Sequence, residues 1–394
     1  MTFVYVISFV AIVQGIIALL DGIRAARYLR TGGQTNRRET VPVLSEEATG
    51  ALPSVVVFCP CKGIDPGFAE NIVSILDQDY SNFRVQFIVE SADDPAFEEL
   101  QRLGAFNVLV AGKATDCGQK VHNLLAAVNQ HAAGPDIYAF CDSDARYPRH
   151  WLSRLTDPLS NHSIAVTTGY RWYVADDGSI PALTRSAWNA SIVSMLGDHA
   201  RNFAWGGSMA LRRETFDQLG IRQSWQGALS DDYAVTRAAG KAGRRIVFVP
   251  SCLIPSYGDC TWHELFEFTT RQIIITRVYH PRLWRIGFLA QSIFAISFAG
   301  SIAIPVLWSA IYILAGAKAW IRIAAVRAVL GPAALSKHTW FYILSAPVVA
   351  LLFEYNMLRS AFSREIIWRQ IRYSLISPNR TRVLPRDGSA ADAS

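Results

Sequence analysis

Asp142 and Asp144 are the residues best placed to do chemistry, because the strand-like run Ile137-Tyr138-Ala139-Phe140-Cys141 stops at two carboxylates one residue apart. Alternate side chains of an extended chain share a face, so both would present oxygen at the carboxyl end of a buried parallel strand. Open α/β sheets bind their ligands at that end. Hard carboxylate oxygens suit Mg²⁺ or Mn²⁺, ions that complete their shell with substrate phosphates. An Asx-rich turn is the competing explanation.

Other polar residues fall at equivalent places: Lys62-Gly63 after a first strand, and Glu90 with Asp93-Asp94 after a second. Neither a G-x-G-x-x-G loop after the first strand nor a G-x-x-x-x-G-K-[ST] loop is present, so a dinucleotide loop and a P-loop are excluded as the phosphate site. A cation on the two aspartates would replace them and neutralise a nucleoside diphosphate as it leaves. Downstream, Ser230-Asp231-Asp232-Tyr233 opens a helical stretch running to Ala242. Carboxylates there can be helix caps, and Asp231 reads as one; a carboxylate at Asp232 facing a metal-diphosphate site is also what a hydroxyl nucleophile needs as its base.

The elements that must position these groups alternate in type. Ser54–Phe58, Val85–Val89, Val108–Val110 and Ile137–Cys141 read as short apolar strands, and Phe68–Gln78, Ala96–Leu103 and Val121–Gln130 have helical periods. That order predicts βαβ units, hence an α/β domain with a mostly parallel sheet flanked by helices.

The remainder is more apolar than an ordinary soluble enzyme: 51% hydrophobic residues and a mean hydropathy of +0.18 over 394 residues. Phe3–Leu20 carries no charge, and its 18 residues would span roughly 27 Å as a helix. Arg24, Arg27, Arg30, Arg37 and Arg38 follow it, which places residue 21 onward in the cytoplasm. Ile286–Ala317 and His338–Phe353 are two further uncharged runs with basic outer flanks, read as a hairpin; a four-span arrangement splits the longer one near Pro305. Arg364–Ile376 reads as an interfacial amphipathic helix, and Asp387–Ser394 as a disordered tail. The expected organisation is an N-terminal transmembrane anchor at 1–22, a cytoplasmic catalytic domain at 53–285, a transmembrane hairpin at 286–358 and the interfacial helix with its tail at 359–394. The expected localisation is an integral membrane protein with a cytoplasmic catalytic domain.

The net charge of +6 sits beside these apolar runs and is not a nucleic-acid signature; the expected contact is with the bilayer. The six cysteines form no C-x-x-C pair and read as reduced structural thiols.

Taken in order, five stretches resemble the membrane-bound family-2-type nucleotide-diphospho-sugar glycosyltransferases, and within them the ceramide glucosyltransferases: Cys61-Lys62-Gly63-Ile64-Asp65-Pro66, Asp93-Asp94-Pro95-Ala96, Gly118 to Leu124 around Lys120, Cys141-Asp142-Ser143, and Asp231-Asp232-Tyr233. Trp205 to Arg213 resembles their acceptor-side loop. The resemblance implies a GT-A-like fold and an inverting, metal-dependent hexosyltransferase moving a sugar from a UDP-sugar to a membrane lipid hydroxyl. It implies Asp232 as catalytic base, Mg²⁺ or Mn²⁺ on Asp142 and Asp144, and donor contacts from Lys62, Asp93, Asp94, Lys120 and Arg271. Two positions depart from that pattern: Asp144 stands where those enzymes have a glycine-type residue, and Ile274 and Ile275 stand where an arginine and a tryptophan are expected after Arg271. A processive polysaccharide synthase and a degenerate, non-catalytic scaffold are the alternatives.

Overall fold

The computed structural model describes residues 1–38, 52–105, 107–132, 134–175, 177–331 and 337–385. The chain divides into two units, one of Met1–Pro42, Trp172–Arg201 and Pro255–Ser363, the other of Val43–Arg171, Asn202–Ile254 and Arg364–Ser394.

The first unit is helical: α1 (Thr2–Arg38), α6 (Ile180–Val193), α10 (Trp262–Tyr279), α11 (Pro281–Gly300), α12 (Pro305–Leu330), α13 (Thr339–Leu344) and α14 (Ala346–Phe362). Its breaks have local causes. Proline has no N–H and fits the first turn of a helix, and Pro281, Pro305 and Pro347 each stand there. Hence the run Ile286–Ala317 is two helices broken just before Pro305, and the run His338–Phe353 is two more. Among the described residues two helical segments are long and apolar enough to cross a membrane, Thr2–Gly32, which contains the expected anchor run Phe3–Leu20, and Pro281–Gly300.

The second unit carries a seven-stranded sheet, β1 (Val55–Pro60), β2 (Phe83–Val89), β3 (Val108–Val110), β4 (Ile137–Cys141), β5 (Ile164–Val174), β6 (Ser208–Arg212) and β7 (Arg245–Tyr257), in the order β3-β2-β1-β4-β6-β5-β7. Strands β1 to β4 pair in parallel, while β6 runs antiparallel to both β4 and β5. The helices of this unit are α2 (Phe68–Leu76), α3 (Pro95–Arg102), α4 (Gln119–Gln130), α5 (Trp151–Thr156), α7 (Arg213–Gln218), α8 (Ile221–Trp225) and α9 (Asp231–Lys241). Side-chain alternation sorts β1 between two cores. Val55, Val57 and Cys59 join a cluster with residues of α2, α3 and α5, and Val56 and Phe58 join one with residues of α4, α8 and α9. A strand covered on both faces reads as a continuous apolar run, which is why the expected βαβ order is the observed one.

The expected interfacial helix over Arg364–Ile376 is absent. The chain there forms β8 (Glu365–Trp368) and β9 (Ile371–Ser377), joined by β10 (Arg380–Val383) in a three-stranded antiparallel sheet. Along β9 the buried residues are Ile371, Tyr373 and Leu375, a period of two that suits a strand and not a helix face. The tail from Asp387 lies outside the described residues. All six cysteines are free and buried.

The small sheet closes against the turn before α9. Gly227 has φ of +71°, and a Cβ there would also run into the Asn379 carbonyl. Gly227→Ala should therefore cost about 1–3 kcal/mol of stability, visible as a lowered midpoint in thermal or denaturant unfolding. Gly240→Ala, which meets open space, should leave the midpoint near wild type.

Candidate active site

The topology brings the predicted strand ends together. Parallel β2, β1 and β4 are neighbours, so Glu90, Lys62 and Asp142 all follow carboxyl ends on one edge. Antiparallel β6 places its start there as well, because Ser208 pairs with Cys141. The loop Trp205-Gly206-Gly207 thereby lies beside Asp142, and a Cβ on Gly207 would stand 2.6 Å from Asp142 Oδ2 and overlap the Trp205 ring. Tyr147 ties this corner: its hydroxyl accepts from Asp142 N–H at 2.9 Å and donates to the Gly207 carbonyl at 2.7 Å.

Asp142 and Asp144 do converge. Arg171 on β5 donates to Asp142 Oδ2 at 2.7 Å and to both oxygens of Asp144 at 2.9 and 3.1 Å, with Trp205 against the guanidinium at 4.9 Å. Lys120 reaches Asp142 Oδ1 at 2.7 Å and Asp231 Oδ2 at 3.4 Å. Arg369 makes a two-pronged pair with Asp65 at 2.7 and 2.8 Å. Five carboxylates (Asp65, Asp142, Asp144, Asp231, Asp232) are thus interleaved with three cations (Lys120, Arg171, Arg369), an excess of two negative charges.

The electrostatics follow from that order. Burial pushes the Asp144 carboxyl up, but Arg171, then Arg369 and Lys120, outweigh it and hold the group down at about 2. Burial also disfavours charge on Lys120, yet Asp142, Asp231 and Asp232 together raise it above the ordinary lysine range. Asp231 goes the other way: burial lifts it to about 6, with Lys120 opposing and Asp232 and Asp142 adding.

The two members of the acidic pair differ in surroundings. Asp231 does not cap α9; its side chain is buried and turned to Lys120. Asp232 is half-buried, accepts from the N–H of Gly206 at 3.1 Å and of Tyr233 at 2.7 Å, and is held by the Ser230 hydroxyl. Their approach to Lys120 depends on Gly118, where a Cβ would run into the Leu229 carbonyl; Gly118 N–H donates instead to the Ala228 carbonyl at 2.9 Å.

At the neighbouring strand ends Lys62 pairs with buried Glu90 and stands 3.9 Å from Asp94. Asp94 caps α3 through Ala96 N–H at 3.0 Å and accepts from Gly63 N–H at 2.8 Å. Asp93 is exposed and bonded to Ser91. Arg271 stands on α10 in the helical unit, ion-paired with Glu267 at 3.3 Å, and Ile274 and Ile275 are buried. The sequence reading did not select Arg171, Tyr147, Asp65 or Arg369. Arg171 had one signal, as the lone charge in the eleven-residue strand Ile164–Val174.

The donor set fits a divalent cation. Two carboxylates already share one cationic group, and the surplus of two negative charges matches an M²⁺ ion. Among the described residues no group of three or more His, Cys, Asp or Glu could hold a metal, so an ion on Asp142 and Asp144 would draw its remaining ligands from phosphate and water, as Mg²⁺ and Mn²⁺ commonly do.

A parallel sheet with an antiparallel strand inserted beside β4, and acidic groups at its carboxyl edge, makes this a glycosyltransferase with a nucleotide-diphospho-sugar transferase-like α/β fold. The chain belongs to glycosyl transferase family 21, which it matches over residues 3–381. It is similar to the mannosyltransferase PcManGT from Pyrobaculum calidifontis, solved with GDP-Man and Mn²⁺, at 17% identity and a TM-score of 0.48, covering 91% of this chain and 97% of the other. It is also similar to glucosyl-3-phosphoglycerate synthase from Mycobacterium tuberculosis, solved with Mn²⁺ and UDP-glucose, at 17% identity and a TM-score of 0.40, covering 61% and 83%. The family match corrects the expected likeness to the membrane-bound family-2-type enzymes: the family is 21. Among the described residues two helices, and not three, are long and apolar enough to cross a membrane; length and composition alone do not carry the expected localisation as an integral membrane protein with a cytoplasmic catalytic domain, which is withdrawn.

A test of the electrostatics uses Asp231. Its pKa in the folded chain lies above that of an unfolded aspartate, about 3.9, so the folded state keeps a proton that the unfolded state releases. The resulting stabilisation is complete below about pH 4 and is lost as pH rises through about 6. Asp231→Asn should flatten the decline of the unfolding midpoint between about pH 4 and 6. A variant with the wild-type slope would remove Asp231 from the network.

Proposed function

We propose that this family 21 chain moves a sugar from a nucleoside diphosphate, in the first instance a UDP-sugar, to an acceptor hydroxyl with inversion at the anomeric carbon. The observation that carries the reading is the carboxyl-edge network around Asp142 and Asp144, whose five carboxylates exceed its three cations by two charges, beside a half-buried carboxylate at Asp232. In this reading Asp142 and Asp144 hold Mg²⁺ or Mn²⁺, which supplies charge neutralisation to the departing diphosphate.

The remaining roles belong to side chains of this protein. Lys120 lies between Asp142 and Asp231 and would turn its N–H groups to phosphate. Asp93, exposed and bonded to the neighbouring Ser91, would take the nucleotide, with Asp94 and Lys62 shaping the loop that receives it. Asp232 would accept the acceptor hydroxyl's proton as oxygen attacks the anomeric carbon, and the Gly206 and Tyr233 N–H groups keep its carboxylate oriented. One displacement, with the leaving group opposite, inverts the configuration.

For the acceptor we propose a lipid hydroxyl. The support is apolar surface: the most apolar windows of Thr2–Gly32 and Pro281–Gly300 are only 11% and 6% buried, far more exposed hydrocarbon than a monomer in water normally presents.

The experiment is sugar transfer from radiolabelled UDP-sugars by purified full-length protein, with label counted in aqueous and organic extracts. Wild type should need Mn²⁺ or Mg²⁺ and lose activity in chelator, and Asp142→Ala with Asp144→Ala should abolish it. Asp232→Asn should lower turnover by about 10²–10⁴-fold with donor affinity little changed. Full turnover in the double variant would refute the metal role. Label confined to the aqueous phase would refute the lipid acceptor while leaving sugar transfer intact.

A further inference from the structure

At the tip of the β8–β9 hairpin, Arg369 and Gln370 have φ of +50° and +63°, and among the described residues they are the non-glycine residues with positive φ. They link Trp368 to Ile371, which pair across the hairpin. A two-residue loop with both residues left-handed is the tight hairpin turn that normally selects asparagine and glycine, since a Cβ is disfavoured there. An arginine in that place is a feature to be explained by what its side chain reaches.

It reaches the acidic edge. Its guanidinium forks onto both oxygens of Asp65, and its charge acts on Asp144 and Asp142. The sheet that carries it is fastened nearby, where the Tyr373 hydroxyl accepts from the N–H of Gln119, the residue before Lys120. The three cations of the network are not equivalent. Lys120 and Arg171 are 15% and 9% exposed, and each is divided between two carboxylates. Arg369 is 41% exposed and paired with one. A guanidinium has five N–H donors in a planar fork that matches phosphate as well as carboxylate; Asp65 takes one donor from each terminal nitrogen of this partly exposed side chain.

We propose that Arg369 is a donor-binding residue: the C-terminal hairpin carries its guanidinium to the rim of the cation site, where it contacts the diphosphate of the sugar nucleotide while Asp65 orients it. The inference rests on the reading of the site as a nucleoside-diphosphate site. The last sheet of the chain is then part of the donor pocket, and Asp65 is a positioning residue.

The test is calorimetric binding of UDP and of UMP to the full-length protein in Mn²⁺. Arg369→Gln should weaken UDP by about 10-fold or more, the scale of a lost charge-assisted contact, and UMP much less, so the preference for UDP shrinks; Arg369→Lys should restore part of it. Asp65→Asn breaks the same ion pair but keeps the guanidinium, so it separates contact from scaffolding and should retain the UDP preference. Wild-type UDP affinity in Arg369→Gln overturns the proposal and leaves the site reading standing. Equal losses in Asp65→Asn and Arg369→Gln also overturn it, assigning the pair to holding the hairpin. Wild-type protein that binds neither UDP nor GDP overturns the site reading and this proposal with it.

Discussion

Lys120 between Asp142 and Asp231 is the contact on which the site depends. A carboxylate removed from water is costly unless an opposite charge and hydrogen bonds replace the lost hydration. Asp231 is 2% exposed, and its Oδ2, with no closer polar partner, faces the Lys120 ammonium at 3.4 Å, so its ionisation rests on Lys120. The same ammonium holds Asp142, which Arg171 shares with Asp144. Deleting either cation strands a half-buried or buried carboxylate, and breaking such a pair from one side typically costs about 3–5 kcal/mol.

Close backbone approach makes that contact possible. Gly118 lets the start of α4 meet the turn before α9, and Gly206 leaves room beside Lys120, where a Cβ would come within 2.8 Å of its Nζ. Gly207 does the same for Asp142 and Trp205. None of the three has a positive φ. Their requirement is space for charged side chains from other segments.

The fold of the α/β unit was largely legible in sequence because β1 to β4 are buried on both faces and read as apolar runs ending in polar residues. The convergence of Asp142 and Asp144 was legible for a related reason: alternation continues past the strand end, so both are half-buried while Ser143 and Ala145 are buried. What escaped was long-range. Arg171, Arg369 and Asp65 acquire meaning only when β5 and the C-terminal sheet are placed. Arg364–Ile376 was misread because its isoleucines and arginines fit a helix face about as well as a strand, and the turn at Arg369-Gln370 lacks the glycine or asparagine that would have marked a hairpin. The longer apolar run was read as one arm of a hairpin with a break near Pro305 as the alternative, and the structure has that break; the restart at Pro347 inside the other run is one that hydropathy does not show.

The ion pair between Asp65 and Arg369 joins residues 304 positions apart, and the α/β unit is interrupted twice by segments of the helical unit. During vectorial synthesis, at about 5–20 residues per second, Asp65 emerges roughly 15–60 s before its counter-ion exists. Throughout that interval the nascent sheet can form its strands but must keep this carboxylate hydrated or protonated. The final closure of the catalytic edge is thus a late event, timed by the ribosome as much as by the chain.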